Sequence, residues 1–322
     1  MMQRSINPHH IAYSAVTHLI LLSLLVTSHG LPVARAYAKS KTHDVFQPLI
    51  RFTGHPGIWA QNNLVKSYTV QNANNRKLVP YPIIRVPDSN GPNTNNQNFA
   101  CQSSNGNNRC YGPSQIRRTY SIQPLLNVGI TGKGRTIVIL DAFQAPNIQN
   151  DLTYFDEQFG LNDAKLNIIA PDGLIPFNTQ DDDQVNWSGE ISLDVEWTHV
   201  VAPDATIDLV LSKSDNDTDM ASALKYIADH NLGDVLSMSF GENEACVSSL
   251  QTWSQALEEA KFKRMTLVAS SGDQGTAEST CDDSTYVREV SYPAADPRVT
   301  SVGGTQLHAD VYTGVYQDET VW

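Results

Sequence analysis

Ser188-Gly189-Glu190-Ile191-Ser192-Leu193-Asp194-Val195-Glu196-Trp197-Thr198-His199-Val200-Val201-Ala202-Pro203 is the stretch on which the reading of this chain turns. It sets Glu190 and Asp194 four positions apart among large apolar residues. A carboxylate in such company finds a partner or takes up a proton. Ile191, Leu193, Val195 and Trp197 alternate with their neighbours, which is the pattern of a half-buried strand. On a strand the two carboxylates share a face but lie roughly 13 Å apart, at about 3.3 Å per residue. On a helix they are neighbours, with about 5–6 Å between Cβ atoms. Only the helix makes a working pair, whereas the local pattern favours the strand.

The flanking segments decide between them. Thr136-Ile137-Val138-Ile139-Leu140 is a continuous apolar run, the mark of a strand buried on both faces, and it ends at Asp141. Pro146 suits a first helical turn. Ile148, Leu152, Phe155 and Phe159 then follow at helical spacing, and Gly160 stops the helix. Thr206 to Leu211 reads as a strand. A helix capped by Thr218 or Asp219 carries Met220, Leu224 and Ile227 and closes near Gly233. Val235 to Phe240 is a strand, and a helix with Leu250, Trp253, Leu257 and Ala260 comes next. Met265 to Ala269 is a strand ending in Ser270-Ser271-Gly272-Asp273, and Val299 to Gly303 is one more. Alternating strands and helices predict an α/β fold, a doubly wound parallel sheet with helices on both faces. In that alternation Ser188–Val201 fills the crossover before Thr206, so a helix is expected there. Ligands bind beyond the carboxyl ends of such strands. Asp141, Ser239-Phe240-Gly241 and Gly272-Asp273 all lie at such ends.

The chain's 322 residues carry a formal charge of −12, which argues against nucleic acid or an anionic membrane as partner. The first 38 residues read as a secretory signal peptide: Arg4, an apolar run from Ala15 to Val26, and Ala36-Tyr37-Ala38 as a small-x-small cleavage site. A secreted protein with no membrane attachment after cleavage is expected. Export permits disulfides, and the four cysteines fall into the local pairs Cys101/Cys110 and Cys246/Cys281. No CxxC or clustered Cys/His spacing points to a metal. Residues 39–112 form a leader that is rich in Asn from Asn90 to Asn98 and resolves into no clear domain. Residues 113–322 form the α/β domain.

Two local motifs fail as ligand sites. Gly129 to Arg135 precedes a strand, whereas a phosphate loop follows one. Asp215-Asn216-Asp217-Thr218-Asp219 begins like a calcium loop but has Met220 where that loop needs Gly. Ser270-Ser271-Gly272-Asp273-Gln274-Gly275 is more informative, because it follows a buried strand and its glycines allow close backbone approach. A protonated Asp273 there could donate to an oxyanion, whereas a plain strand-to-helix turn would give the same local sequence.

Four motifs come in order: Gly-Glu-Ile-Ser-Leu-Asp-Val-Glu-Trp around Glu190 and Asp194, Ser237-Met238-Ser239-Phe240-Gly241, Ser270 to Gly275, and Tyr292-Pro293-Ala294-Ala295 with Val302-Gly303-Gly304-Thr305. Together they resemble the sedolisin family, serine-carboxyl peptidases of subtilisin-like fold. The resemblance covers about Tyr111 to Trp322. It implies that Glu190 is the general base for a nucleophilic serine and that Asp194 is its hydrogen-bonded partner on the same helix. It implies that Asp273 serves the oxyanion hole. Ser237, Ser239, Phe240 and Gly241, with Ser271 and Gly272, would then line the edge where a polypeptide substrate is laid as an added strand. Such a site works at acidic pH. The expected protein is a monomeric secreted endopeptidase.

The resemblance also implies a Gly-Thr-Ser nucleophile motif and a calcium site, both well downstream of Val-Gly-Gly-Thr. No Gly-Thr-Ser occurs here: Gly275-Thr276 is followed by Ala277, and Gly304-Thr305 by Gln306. The sequence therefore leads to the expectation of a C-terminally shortened family domain that hydrolyses nothing and holds no cofactor. The alternative is a non-catalytic secreted protein that keeps the groove and binds polypeptide. No histidine after the signal-peptide segment is followed by Gly to accompany Asp141, so a subtilisin-type triad is not expected, and His199 reads as a packing residue.

Overall fold

The computed structural model describes Val79–Pro80 and residues 110–321. The signal-peptide segment, most of the leader and Cys101 lie outside the described residues. In chain order the elements are β1 (Val79–Pro80), α1 (Pro113–Thr119), α2 (Ile122–Asn127), β2 (Thr136–Ala142), α3 (Ile148–Phe159), β3 (Lys165–Ile169) and α4 (Asp182–Val201). Then come β4 (Thr206–Ser212), α5 (Asp217–His230), β5 (Val235–Met238), β6 (Phe240–Asn243), α6 (Leu250–Phe262) and β7 (Thr266–Ser270). The short strands β8 (Glu278–Ser279), β9 (Tyr286–Val287), β10 (Ser291–Tyr292) and β11 (Thr300–Val302) follow, and the hairpin β12 (Thr305–Ala309) and β13 (Tyr316–Val321) closes the described chain.

Six strands form the central sheet in the order β11-β7-β5-β2-β4-β3, all parallel. The pleat splits β2 between two cores. Val138 and Leu140 face α5 and α6, where Met220, Leu224, Ile227, Trp253 and Leu257 are buried. Ile137 and Ile139 face the other side, toward Leu193 and Trp197 of α4 and Ile148 and Leu152 of α3. The sheet is thus a parallel one with helices on both faces, as the alternation of elements predicted.

Ser188–Val201 is helical, within α4, and the helix starts earlier, at Asp182, where the Asp181 side chain accepts from the N–H groups of Asp183 and Gln184. Its strand-like alternation arises because α4 is buried almost all round: Trp187, Ile191, Leu193, Val195, Trp197, Val200 and Val201 all lie in the core.

Several boundaries move from their expected places. α3 begins at Ile148, two residues after Pro146, and Ile148 N–H donates to the Ala145 carbonyl in a preceding turn. Gly160 stops it in the left-handed conformation, as expected (φ 63°). α5 begins at Asp217 with Asn216 in the cap position, ahead of Thr218 and Asp219, since the Asp217 side chain is tied to α6. Asn231, at φ 50°, ends it before Gly233. The expected strand Val235–Phe240 divides at Ser239: β5 stays in the parallel sheet, and β6 turns away to pair antiparallel with β1 and β10.

Cys246 and Cys281 are joined, with Cα atoms 5.4 Å apart and a sequence separation of 35. Closing a loop of that length contributes about 3–4 kcal/mol in the chain-entropy account. Cys110 is disulfide-bonded as well.

Candidate active site

The carboxyl ends of β2, β5 and β7 converge on one face of α4. Trp187, Glu190, Ile191 and Asp194 repeat at three- and four-residue spacing, so they share that face. Trp187 fixes it, fully buried with its ring 5.9 Å from that of Phe240. Glu190 and Asp194 are each only 5% exposed. The joint between β5 and β6 brings Ser239 to Asp194, and its hydroxyl donates to that carboxylate. Asp273, in the loop after β7, is partly buried and acts on Glu190 through its charge.

A residue that the motifs did not single out joins this group. Asp141 is the last but one residue of β2, is wholly buried and acts on both Asp194 and Glu190. Its signal was visible: an apolar run, Ile137 to Leu140, followed directly by a carboxylate.

Burial governs the ionisation of all four groups. It pushes Asp141 and Glu190 well above the usual carboxylate range, and mutual repulsion with Asp194 adds to the effect. Glu190 is repelled further by Asp141 and Asp273. Burial raises Asp194 to about 7 despite the opposing hydrogen bond from Ser239, and raises Asp273 to about 6. Below neutral pH this cluster therefore holds protons, and its members titrate together.

The expected substrate residues are distributed unevenly. Ser237 and Ser239 are buried. The Phe240 side chain belongs to the core, 5.9 Å from Trp187 and 6.2 Å from Trp253, which leaves its backbone to face the groove. That backbone is already paired: Val79 lies opposite Gly241 and Pro80 opposite Phe240. Leader residues thus run antiparallel along the strand edge where a substrate was expected. On the other side, Ser291 and Tyr292 pair with Asn243 and Glu242. Ser271 and the loop after Gly272 wall a cavity of about 480 Å³ together with Thr276, Glu289, Ser291 and Ala294. Glu278, which the motifs also missed, is buried beside it, accepts a hydrogen bond from Ser291 and is influenced by Asp273.

His199 packs toward α3, with Nε2 2.8 Å from the Asn162 carbonyl and 3.3 Å from Asp156. Burial lowers its pKa. Among the described residues no group of three or more His, Cys, Asp or Glu is arranged to hold a metal ion, so the implied calcium has no fitting donor set there. No helix among them is long and apolar enough to cross a membrane.

The sheet order and the site at its carboxyl ends define an α/β protein of subtilisin-like fold. A solved structure of Pseudomonas sedolisin, complexed with two molecules of pseudo-iodotyrostatin, superposes with a TM-score of 0.51 and 23% identity, covering 66% of this chain and 58% of that one. Kumamolisin from Bacillus sp. (strain MN-32) is 25% identical over 227 residues, 70% of this chain and 39% of kumamolisin. Sedolisin from Pseudomonas sp. (strain 101) is 28% identical over 238 residues, 62% of this chain and 40% of sedolisin. No family model matches the sequence. The sequence and structural matches together support a sedolisin-family relationship for this chain. It spans about two-fifths of the length of these curated relatives.

Proposed function

We propose that this chain supplies the acid–base half of a secreted serine-carboxyl endopeptidase that cuts polypeptides at acidic pH. The observation that carries the reading is the burial of Glu190 and Asp194 on one face of α4, with Ser239 donating to Asp194 and Asp273 within electrostatic reach. Glu190 is the general base, which takes the proton of a nucleophilic serine and returns it to the leaving amine. Asp194 orients it. Asp273, protonated below about pH 6, donates to the oxyanion that forms on the scissile carbonyl. After its first deprotonation the cluster holds one shared negative charge, which is enough for one base. Peptide is laid along the Phe240–Gly241 edge, which requires Val79–Pro80 to leave it. The apolar N-terminal run and the Cys246–Cys281 bond support export to an oxidising compartment.

The 322 residues contain no Gly-Thr-Ser, so by themselves they are expected to hydrolyse nothing. The test extends the chain past Trp322 with a segment that carries Gly-Thr-Ser and assays a fluorogenic peptide between pH 3 and 7. Hydrolysis on the acid side, lost by at least a hundredfold in Glu190→Gln, is the expected result. Hydrolysis that survives Glu190→Gln removes the base assignment. Peptide binding without hydrolysis in the extended chain favours the non-catalytic alternative.

A further inference from the structure

We propose that the seam between α3 and α4 is a pH-sensitive latch: in acid, protons on Asp151, Asp156 and Glu196 seat α3 against α4, and at neutral pH their charges loosen it. Ile148 and Leu152 of α3 share a core cluster with Ile191 and Val195 of α4, and the Phe155 ring meets that of Trp197 edge-on at 6.5 Å. Beside this apolar strip the seam carries carboxylates from both helices. Asp156 is 2% exposed, and Asp151 and Glu196 are half-buried. Neither Asp151 nor Glu196 has a hydrogen-bond or ion-pair partner among the described residues. One oxygen of Asp156, Oδ1, is buried without a hydrogen bond. Asp156 also stands in the last turn of α3, where the carbonyl end of a helix disfavours an anion.

The basic group nearest these carboxylates does not neutralise them. His199 Nε2 lies 3.3 Å from Asp156, but its N–H is given to the Asn162 carbonyl at 2.8 Å. Nδ1 is buried with no partner, so an imidazolium would strand a second N–H there. Burial lowers the His199 pKa and the Arg117 guanidinium of α1 adds to this, against the Asn162 carbonyl, Asp204 and Asp163. Arg117 itself donates from Nε to the Val200 carbonyl at the end of α4. Asp163, in the loop after α3, repels Asp156 further. Protons remain as the remedy. Burial lifts Asp156 to about 6 against a hydrogen bond from the Ala164 N–H, and raises Asp151. It holds Glu196 well above the usual carboxylate range, with repulsion from Asp151 and Asp156 added. Raised folded values contribute stability that is complete below the unfolded value, near 4, and is lost as pH climbs through the folded one. Glu190 and His199 are nine residues apart, hence on opposite sides of α4 at about 100° per residue. The latch therefore backs the helix that carries the site. Its catalytic meaning rests on the proposed function, whereas the latch itself does not.

The test is amide hydrogen exchange of the full chain, read by mass spectrometry of its peptides and corrected for intrinsic exchange rates, at about pH 5 and about pH 8. The amides of α3 are expected to lose protection about tenfold or more at the higher pH, relative to those of α5 as an internal reference. Glu196→Gln combined with Asp151→Asn keeps the shape of both side chains and removes two charges, so it should return most of that protection at about pH 8. Protection of α3 that does not change with pH, or that falls only in step with α5, overturns the proposal. So does a loss in the wild type that the double variant leaves unmoved. The wild-type comparison decides even if the variant fails to fold. Exchange is read without substrate or nucleophile, so a failed latch and a failed peptidase assay are separate results.

Discussion

Two buried carboxylate sites sit on opposite faces of the same sheet and are treated in opposite ways. Asp217, at the start of α5, is 2% exposed and accepts three hydrogen bonds: from the Trp253 indole at 2.5 Å, the Ser248 hydroxyl at 2.6 Å and the Ser249 N–H at 2.6 Å. Those donors satisfy the anion, so the residue works as a rivet between α5 and α6. Asp141, Glu190 and Asp194 are buried to the same degree, yet Ser239 donates to Asp194 whereas both oxygens of Asp141 and one of Asp194 have no partner among the described residues. Burial without donors leaves protons as the remedy. The contrast teaches that exposure by itself does not mark a reactive carboxylate, whereas the supply of donors does.

Removing the rivet should have the largest effect. Asp217→Ala strands the Trp253 and Ser249 N–H groups in the core, and roughly 3–5 kcal/mol of stability should be lost in urea unfolding at pH 7. A loss under 1 kcal/mol would erase the distinction between the two sites. The second effect is in the pH dependence of the wild type. Carboxylates whose folded pKa is raised contribute stability that is fully present below their unfolded value, near 4, and is lost as pH climbs through the folded value. With Asp273 at about 6 and Asp194 at about 7, unfolding midpoints should fall steadily from about pH 4 to pH 7. Each proton retained by the folded state adds about 1.4 kcal/mol per pH unit to that slope. Stability that rises with pH over this window would mean that the cluster is satisfied after all. The smallest effect is a control at the surface: Lys225→Ala removes an exposed i,i+4 pair with Asp229 and should leave the midpoint unchanged within error.

Legibility in the sequence follows the same physics. β2 was readable because a strand buried on both faces has an apolar run with no competing pattern, and α3 because only one of its faces is covered. α4 was ambiguous for the converse reason: buried nearly all round, it shows no helical stripe, and the order of its neighbours had to supply the answer. The edge strand β3 was not identified, since it is only five residues long, and Lys165 and Asn167 interrupt its apolar Leu166, Ile168 and Ile169. Of the site, Glu190, Asp194 and Asp273 carried a motif. The part played by Asp141 depends on which donors fail to reach it, and that is a property of packing across elements far apart in the chain. The pairing of Val79–Pro80 with β6 joins segments some 160 residues apart, well beyond any local pattern.

That pairing has a bearing on self-association. A bare strand edge such as Phe240–Gly241 is a template on which a second copy of the chain could add itself, and an open groove for substrate is open to aggregation as well. Here the first residues to reach it include a proline. Because Pro80 has no N–H, the two-residue strand it belongs to offers an interrupted ladder to anything that approaches from outside. The ribbon β1–β6–β10 therefore ends in a poor donor, and growth of the sheet by further strands is discouraged at the place where the protein can least tolerate it.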